Sequence, residues 1–593
     1  MNREDLRPPR DDVRHAVEQW LERFNGALTD PTPQRLATLF FPDSHWREVL
    51  ALSWELKTTS GRDEITRALA QALPRFGARD FAIDRHRCPP RVVDRGGAPA
   101  VEAILRFETA VGRSAGIVRF RLDDGWDRAP KAWTLHTALE EIRGHDEATL
   151  RAKREGPVFS RDFHGPNWLD QRTAAARFAD REPTVLVVGG GHAGLSVAAR
   201  LVQLDVDTLV VDREKRIGDN WRQRYRALKL HNQYHSNHLP YMPFPPTWQR
   251  YLPKDRVANW LEMYVDCLDI FFWTQTEFQG ATYDAASRRW DARLKLANGG
   301  TRMIHPRHII LATSVSGTPK LPEIPTLERF AGKVQHSSEF GDGAQWRGKD
   351  VLILGTGTSA HDIAQDLHGH GARATLVQRS PTLVVQIEPS AQLYEGVFLG
   401  EGPSLEDRDL IYTSIPLRLM LSAHKRLTQT AKEYDRPLLE ALEKVGFRLS
   451  DGVDGTGWPY LFRTRGGGYY FNVGCSDLIV SGEVGLIQYH DIESFVAEGA
   501  KMNDGRIVPA DLVVLATGFM GHEHMVRTMF GEEVAAKVGP IWGFDPRTQE
   551  LRNMWMRTGQ RGLWFTGGPF SSCRAYSKYL ALQIKATELG LMP

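Results

Sequence analysis

Thr184-Val185-Leu186-Val187-Val188 runs straight into Gly189-Gly190-Gly191-His192-Ala193-Gly194, and the reading of that junction decides the fold. A short β-branched apolar run bounded by glycine predicts a buried strand. Leu195-Ser196-Val197-Ala198-Ala199-Arg200-Leu201 has helical composition and spacing, and Thr208-Leu209-Val210-Val211 predicts a second strand ending on Asp212. Strand, G-x-G-x-x-G turn, helix, strand and acid follow in that order, with the acid 21 residues past Gly191. Such a unit binds a dinucleotide. Gly189 allows the tight turn, Gly191 admits a pyrophosphate to the backbone, and Gly194 lets helix and strand pack closely. Asp212 accepts from a ribose diol. The phosphates sit on the positive end of the helix, beside His192 and Ala193.

A second fingerprint lies further along. Val351-Leu352-Ile353-Leu354 leads into Gly355-Thr356-Gly357-Thr358-Ser359-Ala360, where alanine fills the third glycine position, as the motif permits. The candidate contacts are Gly355, Gly357, Thr358, Ser359 and Ala360. The following strand, Ala374-Thr375-Leu376-Val377, ends on Gln378-Arg379-Ser380 where an NAD site would carry an acid. A carboxylate there would repel a 2′-phosphate, whereas Arg379 binds one, so NADP is expected rather than NAD. Two dinucleotide sites on one chain imply electron transfer between two cofactors: a nicotinamide that supplies hydride and an FAD that accepts it.

Outward from these sites, Arg213 and the loop Gly218-Asp219-Asn220-Trp221 are placed along the flavin. The proline-stiffened Leu239–Pro246 stretch suits a pocket wall. Between the fingerprints, Phe330-Ala331-Gly332-Lys333-Val334-Gln335-His336-Ser337-Ser338-Glu339-Phe340 fits F-x-G-x-x-x-H-x-x-x-Y/F at every fixed position. With Val513–Phe519 and Leu563–Gly568, residues 183–593 resemble the flavin-containing monooxygenases, and Leu228–His231 and Met242–Pro245 look most like the plant auxin-forming branch and its microbial relatives. The family's A-T-G motif stands here as Ala312-Thr313-Ser314. The resemblance implies that NADPH reduces FAD, that oxygen adds as a C4a-(hydro)peroxyflavin, and that one oxygen atom passes to a small molecule. Either N/S-oxygenation or oxidative decarboxylation of a 2-oxo acid fits. It also implies cofactor contacts at Thr517 and Gly518. The family's active-site asparagine falls at His231-Asn232: carboxamide chemistry favours Asn232, and simple alignment allows His231 equally. His336 is expected to be structural. Two other classes stay open, an NADPH oxidase or flavin reductase and a non-enzymatic NADP(H)-responsive binding protein.

Composition narrows the partners. A net charge of +2 in 593 residues gives no reason to expect nucleic acid. Four scattered cysteines, Cys88, Cys267, Cys475 and Cys573, leave no C-x-x-C pair and no zinc set. No apolar stretch spans a bilayer. A cytoplasmic enzyme of small-molecule substrate and O2, with no metal, is expected; a homodimer is allowed.

The fold class expected is α/β, two Rossmann-like domains for FAD and NADP preceded by an α+β cone domain. Residues 1–143 form the cone, with an amphipathic helix (Val13, Val17, Trp20, Leu21, Phe24), a short helix from Pro33 to near Pro42, and later alternating strands. The stretch Leu39–Trp46 with Trp54 and Thr59–Arg62 resembles the nuclear-transport-factor-two-like, polyketide-cyclase-like cone; Asp43 and His45 are expected at a turn and a strand edge. Residues 144–180 are a linker whose Phe163–Leu169 segment should pack on a neighbour. The FAD-binding domain is split in sequence, into residues 181–320 and 481–593, and residues 321–480 between them form the NADP domain with an insertion. A chain beginning near Arg161 is expected to fold alone. Within the insertion Tyr469 and Tyr470 either border the substrate or pack a strand. Arg574, before a helix expected from Lys578 to Leu589, is a candidate contact for a carboxylate or the flavin.

Overall fold

A computed structural model describes residues 10–122, 126, 128–148, 163–314, 317–400 and 402–592. Two five-stranded parallel sheets carry the two fingerprints. The first has the order Phe271–Trp273, Thr208–Val211, Val185–Val188, His308–Leu311, Leu563–Phe565. All four residues of Val185–Val188 are buried, as a strand covered on both faces requires. The second sheet has the order Lys333–His336, Leu512–Leu515, Asp350–Leu354, Arg373–Gln378, Gly485–Gln488. Residues 485–488 and 512–515 therefore belong to the second sheet. The expected boundary at 480 moves beyond 515, because the central position beside Asp350–Leu354 needs an apolar strand and Leu512–Leu515 supplies it. The first sheet is closed by Leu563–Phe565, which pairs with His308–Leu311.

The N-terminal region is β-rich. Seven strands form one sheet, in the order Leu56–Ser60, Phe40–Val49, Ala132–Ile142, Gly112–Arg121, Ala98–Glu108, Arg79–Ile83, with Arg91–Arg95 also on Ala98–Glu108. The helix Arg10–Leu28 lays Trp20 and Phe24 on it, and the Phe24 ring meets Phe81 at 5.0 Å. The second helix is shorter than expected. It ends at Ala37, and Pro42 lies in a strand instead. The register against Ala132–Ile142 shifts between Phe40 and His45, which leaves the proline, lacking an N–H, at an irregularity rather than in a regular ladder. Asp43 pairs with Arg121 at 3.0 Å and His45 bonds Ser60 at 2.7 Å, both framework contacts.

Two further expectations change. The last helix begins at Phe570, eight residues before Lys578, because Pro569 starts it and Ser571–Ser577 are buried against the first sheet's core. The linker aromatics stay largely exposed: Phe163, Trp168 and Leu169 are 81%, 61% and 60% exposed. Trp168 opens a capped helix, Trp168–Ala176, none of whose residues is buried. Among the described residues no helix is long and apolar enough to cross a membrane.

Candidate cofactor and substrate site

The first glycine turn is shaped by its neighbour strand. Gly189 has φ +105°, and a Cβ there would press on the Ala312 carbonyl; a Cβ on Gly194 would overlap the Gly189 carbonyl. Gly191 differs. Among the described residues, the only atoms within 4 Å of a Cβ there are those of the Asn220 carboxamide, whose nitrogen is 3.0 Å away. The helix His192–Gln203 has no side-chain cap among the described residues, which leaves its first N–H groups open to an anion there. Asp212 receives the Gly190 N–H at 2.6 Å and the Glu214 N–H at 3.0 Å, which fixes the carboxylate and leaves lone pairs for a diol. The Trp221 Nε1 and Thr313 hydroxyl are buried without a hydrogen-bond partner among the described residues. An open helix start, a fixed acid and buried donors in want of acceptors fit FAD.

His192 and Ala193 play different parts. Ala193 is buried at the helix start. The His192 ring stacks on Phe570 at 4.1 Å and bonds the Gly568 carbonyl through Nε2 at 2.9 Å. Burial lowers its pKa, so a neutral ring donates that bond, tying the cradle to the C-terminal segment. Arg213 is exposed, with a nitrogen 3.3 Å from the Gly317 carbonyl.

The second turn repeats the construction. Gly355 has φ +131°, and its Cβ would press on the Ala516 carbonyl. Ala312-Thr313-Ser314 and Ala516-Thr517-Gly518 are therefore equivalent supports, one behind each glycine turn. Ser314 even keeps the left-handed backbone, φ +69° against +84° at Gly518. Thr517 donates to the Lys320 carbonyl at 2.6 Å, and the Gly518 carbonyl meets His336 Nε2 at 3.0 Å. Thr517 and Gly518 thus back the second cradle, and His336 holds the pair, as a structural residue would. Around Gly357 there is space: a Cβ would find nothing nearer than the Tyr469 carbonyl at 4.0 Å. Thr358 donates to that carbonyl at 2.9 Å; Ser359 is half-buried and Ala360 fully buried. The helix Thr358–Gly369 also lacks a side-chain cap. Arg379 is exposed at the strand end, with no carboxylate partner among the described residues. These residues fit a dinucleotide with a 2′-phosphate.

The segment after Trp221 bridges the two halves. Tyr225 donates to Asp362, on the second cradle's helix, at 2.5 Å. His231 lies 3.8 Å from the same carboxylate. Asn232 donates through Nδ2 to Glu395 at 3.0 Å, and Ser236 donates to the other oxygen at 2.9 Å. Burial pushes the Glu395 carboxyl up, opposed by Ser236, Arg463 and Asn232. The two neighbours, His231 and Asn232, are thus parted: the imidazole turns to the second cradle's helix and the carboxamide to the insertion. Glu395 and Asp362 carried no sequence signal, since neither sits in a motif and their partners lie more than 130 residues away.

A narrow cleft with ≈ 30 Å³ of free space is lined in part by Arg463, whose charge acts on Glu395; it has room for about one water. Met420, Met554, Met556 and Trp555 give it soft apolar walls; Arg463, Tyr412 and Ser572 give it polar ones. Arg463 reaches the Tyr412 hydroxyl at 3.2 Å and has no carboxylate within ion-pair distance among the described residues. The N-terminal region completes the wall with Arg47 and Leu56. Arg574 does not enter it: its guanidinium pairs with Asp409 at 2.7 Å and holds the carbonyls of Ser236 and His238. Tyr470 is buried, stacked on His361 at 3.9 Å, and Tyr469 stacks on Phe471 at 5.2 Å, so both pack the strand.

The family model for pyridine nucleotide-disulphide oxidoreductases matches residues 183–396, the span holding both glycine turns. The chain is 28% identical over 352 residues to the indole-3-pyruvate monooxygenase YUCCA1 of Oryza sativa subsp. japonica, covering 59% of this chain and 80% of that protein. It is 29% identical over 341 residues to a probable indole-3-pyruvate monooxygenase YUCCA1 of Arabidopsis thaliana, with 56% and 75% covered. Among solved structures, OTEMO in complex with FAD and NADP aligns over 69% of this chain and 86% of that one, at 18% identity and a TM-score of 0.50. ε-Caprolactone-bound cyclohexanone monooxygenase aligns over 69% and 88%, at 17% identity and the same score. At such identity these structures speak to fold.

Proposed function

We infer that this chain is an FAD- and NADP-dependent enzyme of the flavin monooxygenase type, one that places a single oxygen atom from O2 into a small organic substrate. The observation that carries the reading is the pair of glycine cradles, each on its own parallel sheet and backed by its own alanine-threonine strand end, joined by the Tyr225–Ser236 segment. When bound, the flavin supplies oxygen activation and the nicotinamide supplies hydride.

The chain's own work is to bind, orient and exclude water. Gly191 and Gly357 leave room for pyrophosphates at two uncapped helix starts. Asp212 takes a ribose of the first cofactor, while Asn220 and Trp221 lie along it. Asn232 is the residue we assign to the reacting centre, and Glu395 fixes its amide so that Oδ1 points away from the carboxylate. His231 sits beside the second cofactor's helix. The cleft lined by Arg463 is the substrate's place, and its three methionines can repack to open it. Arg463 there favours a substrate bearing an acid group, which agrees with oxidative decarboxylation of a 2-oxo acid; the rice and Arabidopsis relatives are named as monooxygenases of one such acid, indole-3-pyruvate.

Turnover with labelled oxygen tests this function. Phenylpyruvate as substrate should yield an acid carrying one labelled oxygen atom, and methyl phenyl sulfide a sulfoxide carrying one. Hydrogen peroxide as the only oxygen product, with both substrates, would leave an NADPH oxidase. Coenzyme choice gives a narrower check. Arg379→Ala should weaken NADPH relative to NADH by about 1.5–3 kcal/mol, as loss of a charge-assisted hydrogen bond implies. The low end is expected, because the guanidinium is exposed and salt screens it. Equal KM increases for both coenzymes would show that Arg379 does not read the 2′-phosphate.

A further inference from the structure

The two cradles differ where they meet the adenosine ribose. Asp212 stands 23 residues after Gly189, and Gln378 stands 23 residues after Gly355. Asp212 faces its own glycine turn. Gln378 is buried and turns the other way, into residues 446–450 that follow the insertion's long helix, Leu417–Lys444. Its carboxamide receives the Arg448 N–H at 2.8 Å and donates to the Arg448 carbonyl at 2.9 Å. Thr382 adds two backbone bonds, donating to the Arg448 carbonyl and accepting from Ser450, both at 3.1 Å. Gln488 donates to the Gln378 carboxamide oxygen at 3.0 Å. The backbone of Arg448 is thereby fixed against the end of the strand Arg373–Gln378.

Its side chain lies along the same end. Arg448 Nη2 donates to the Arg379 carbonyl at 2.6 Å, which sets a second guanidinium beside the residue already expected at the phosphate. Among the described residues Arg448 Nε is buried with no hydrogen-bond partner, and neither Arg448 nor Arg379 has a carboxylate within ion-pair distance. Elsewhere in this chain arginines in similar surroundings are paired: Arg373 with Asp350 at the start of the same strand, and Arg222 with Asp219. Two arginines at one strand end, neither with a carboxylate, leave their charge to be met by a ligand, and a phosphate dianion can answer both.

We propose that Arg448 is a second guanidinium of the 2′-phosphate site, so that coenzyme choice depends on the insertion as well as on the strand end. Gln378 is its positioning residue. The assignment rests on the reading that the second cradle holds NADP. It explains why the ribose position carries a glutamine: an amide can clasp the Arg448 backbone through both its donor and its acceptor, which a carboxylate cannot.

Calorimetric titration of the flavin-loaded full chain with 2′,5′-ADP and with 5′-AMP tests it without turnover. The unaltered chain should prefer 2′,5′-ADP. Arg448→Gln, which can still donate to the Arg379 carbonyl, should weaken 2′,5′-ADP by about tenfold and leave 5′-AMP within about twofold. Arg448→Lys should recover some of the loss, since it keeps the charge without the fork. Equal weakening of both probes, or of neither, overturns the proposal, the first by showing a structural role and the second by showing none. A chain that never prefers 2′,5′-ADP fails one step earlier and removes the NADP reading along with Arg448.

Discussion

Gly191→Val should leave a folded chain without flavin, and Gly357→Val should leave a yellow chain that NADPH cannot bleach. Neither change meets protein that must move far. At Gly191 the neighbour is a flexible carboxamide, and at Gly357 the nearest atom is 4.0 Å from a new Cβ. Both substitutions instead fill the space through which a pyrophosphate reaches the helix start. Activity should fall to background in both, since one lacks the acceptor and the other the hydride. Gly194 is the control for packing: its Cβ would overlap the Gly189 carbonyl, so Gly194→Val should unfold the cradle itself. Absorbance spectra with circular dichroism separate the three. Flavin lost from Gly357→Val and kept by Gly191→Val would reverse the assignment of the two halves.

Glu550→Ala should destabilise the chain by about 3–5 kcal/mol, the cost of leaving a buried guanidinium unpaired. Arg47 and Glu550 join the N-terminal sheet to the C-terminal flavin segment at 2.6 Å, with side chains only 5% and 4% exposed. Arg47 also holds the Thr413 and Ile415 carbonyls and the Tyr576 hydroxyl, and Thr58 donates to Glu550 at 2.8 Å. The pair need not be stabilising overall. Replacing both partners, Arg47→Met with Glu550→Leu, should cost much less than either single change. Denaturant unfolding of the three variants measures this, and a loss below about 1 kcal/mol for Glu550→Ala would mean the two units separate in solution. The same interface reverses the expectation for a shortened chain. Arg161 lies outside the described residues, but a chain starting near it would uncover Tyr576 and the cleft wall beside Leu417 and Trp555. Poor solubility or weak flavin retention is now the expected result.

The cradles were legible because their chemistry is local. A β-branched strand, a glycine turn and an apolar helix lie close together along the chain, and each glycine answers either a backbone contact or the open space for a pyrophosphate that the motif itself implies. The equivalence of Ala312-Thr313-Ser314 and Ala516-Thr517-Gly518 was visible only as similar letters; the structure shows that each passes behind a glycine turn. The boundary at 480 failed for a related reason. Leu512–Leu515 is as apolar as any strand of the first sheet, and nothing local says which sheet it joins. Glu395, Arg448 and Arg463 were invisible because each acts through a partner far away in sequence. The N-terminal unit was legible as helices followed by strands and not as a wall, since Arg47 is one arginine in a strand until Glu550 is found opposite it.

Anaerobic titration with NADPH tests the central claim most directly. The purified chain, loaded with FAD, should lose its yellow absorbance with one equivalent of NADPH, should require far more NADH for the same change, and should regain colour on admission of oxygen. A chain that binds FAD yet keeps its full absorbance under excess NADPH would contradict the account, because the two cradles would then not exchange electrons.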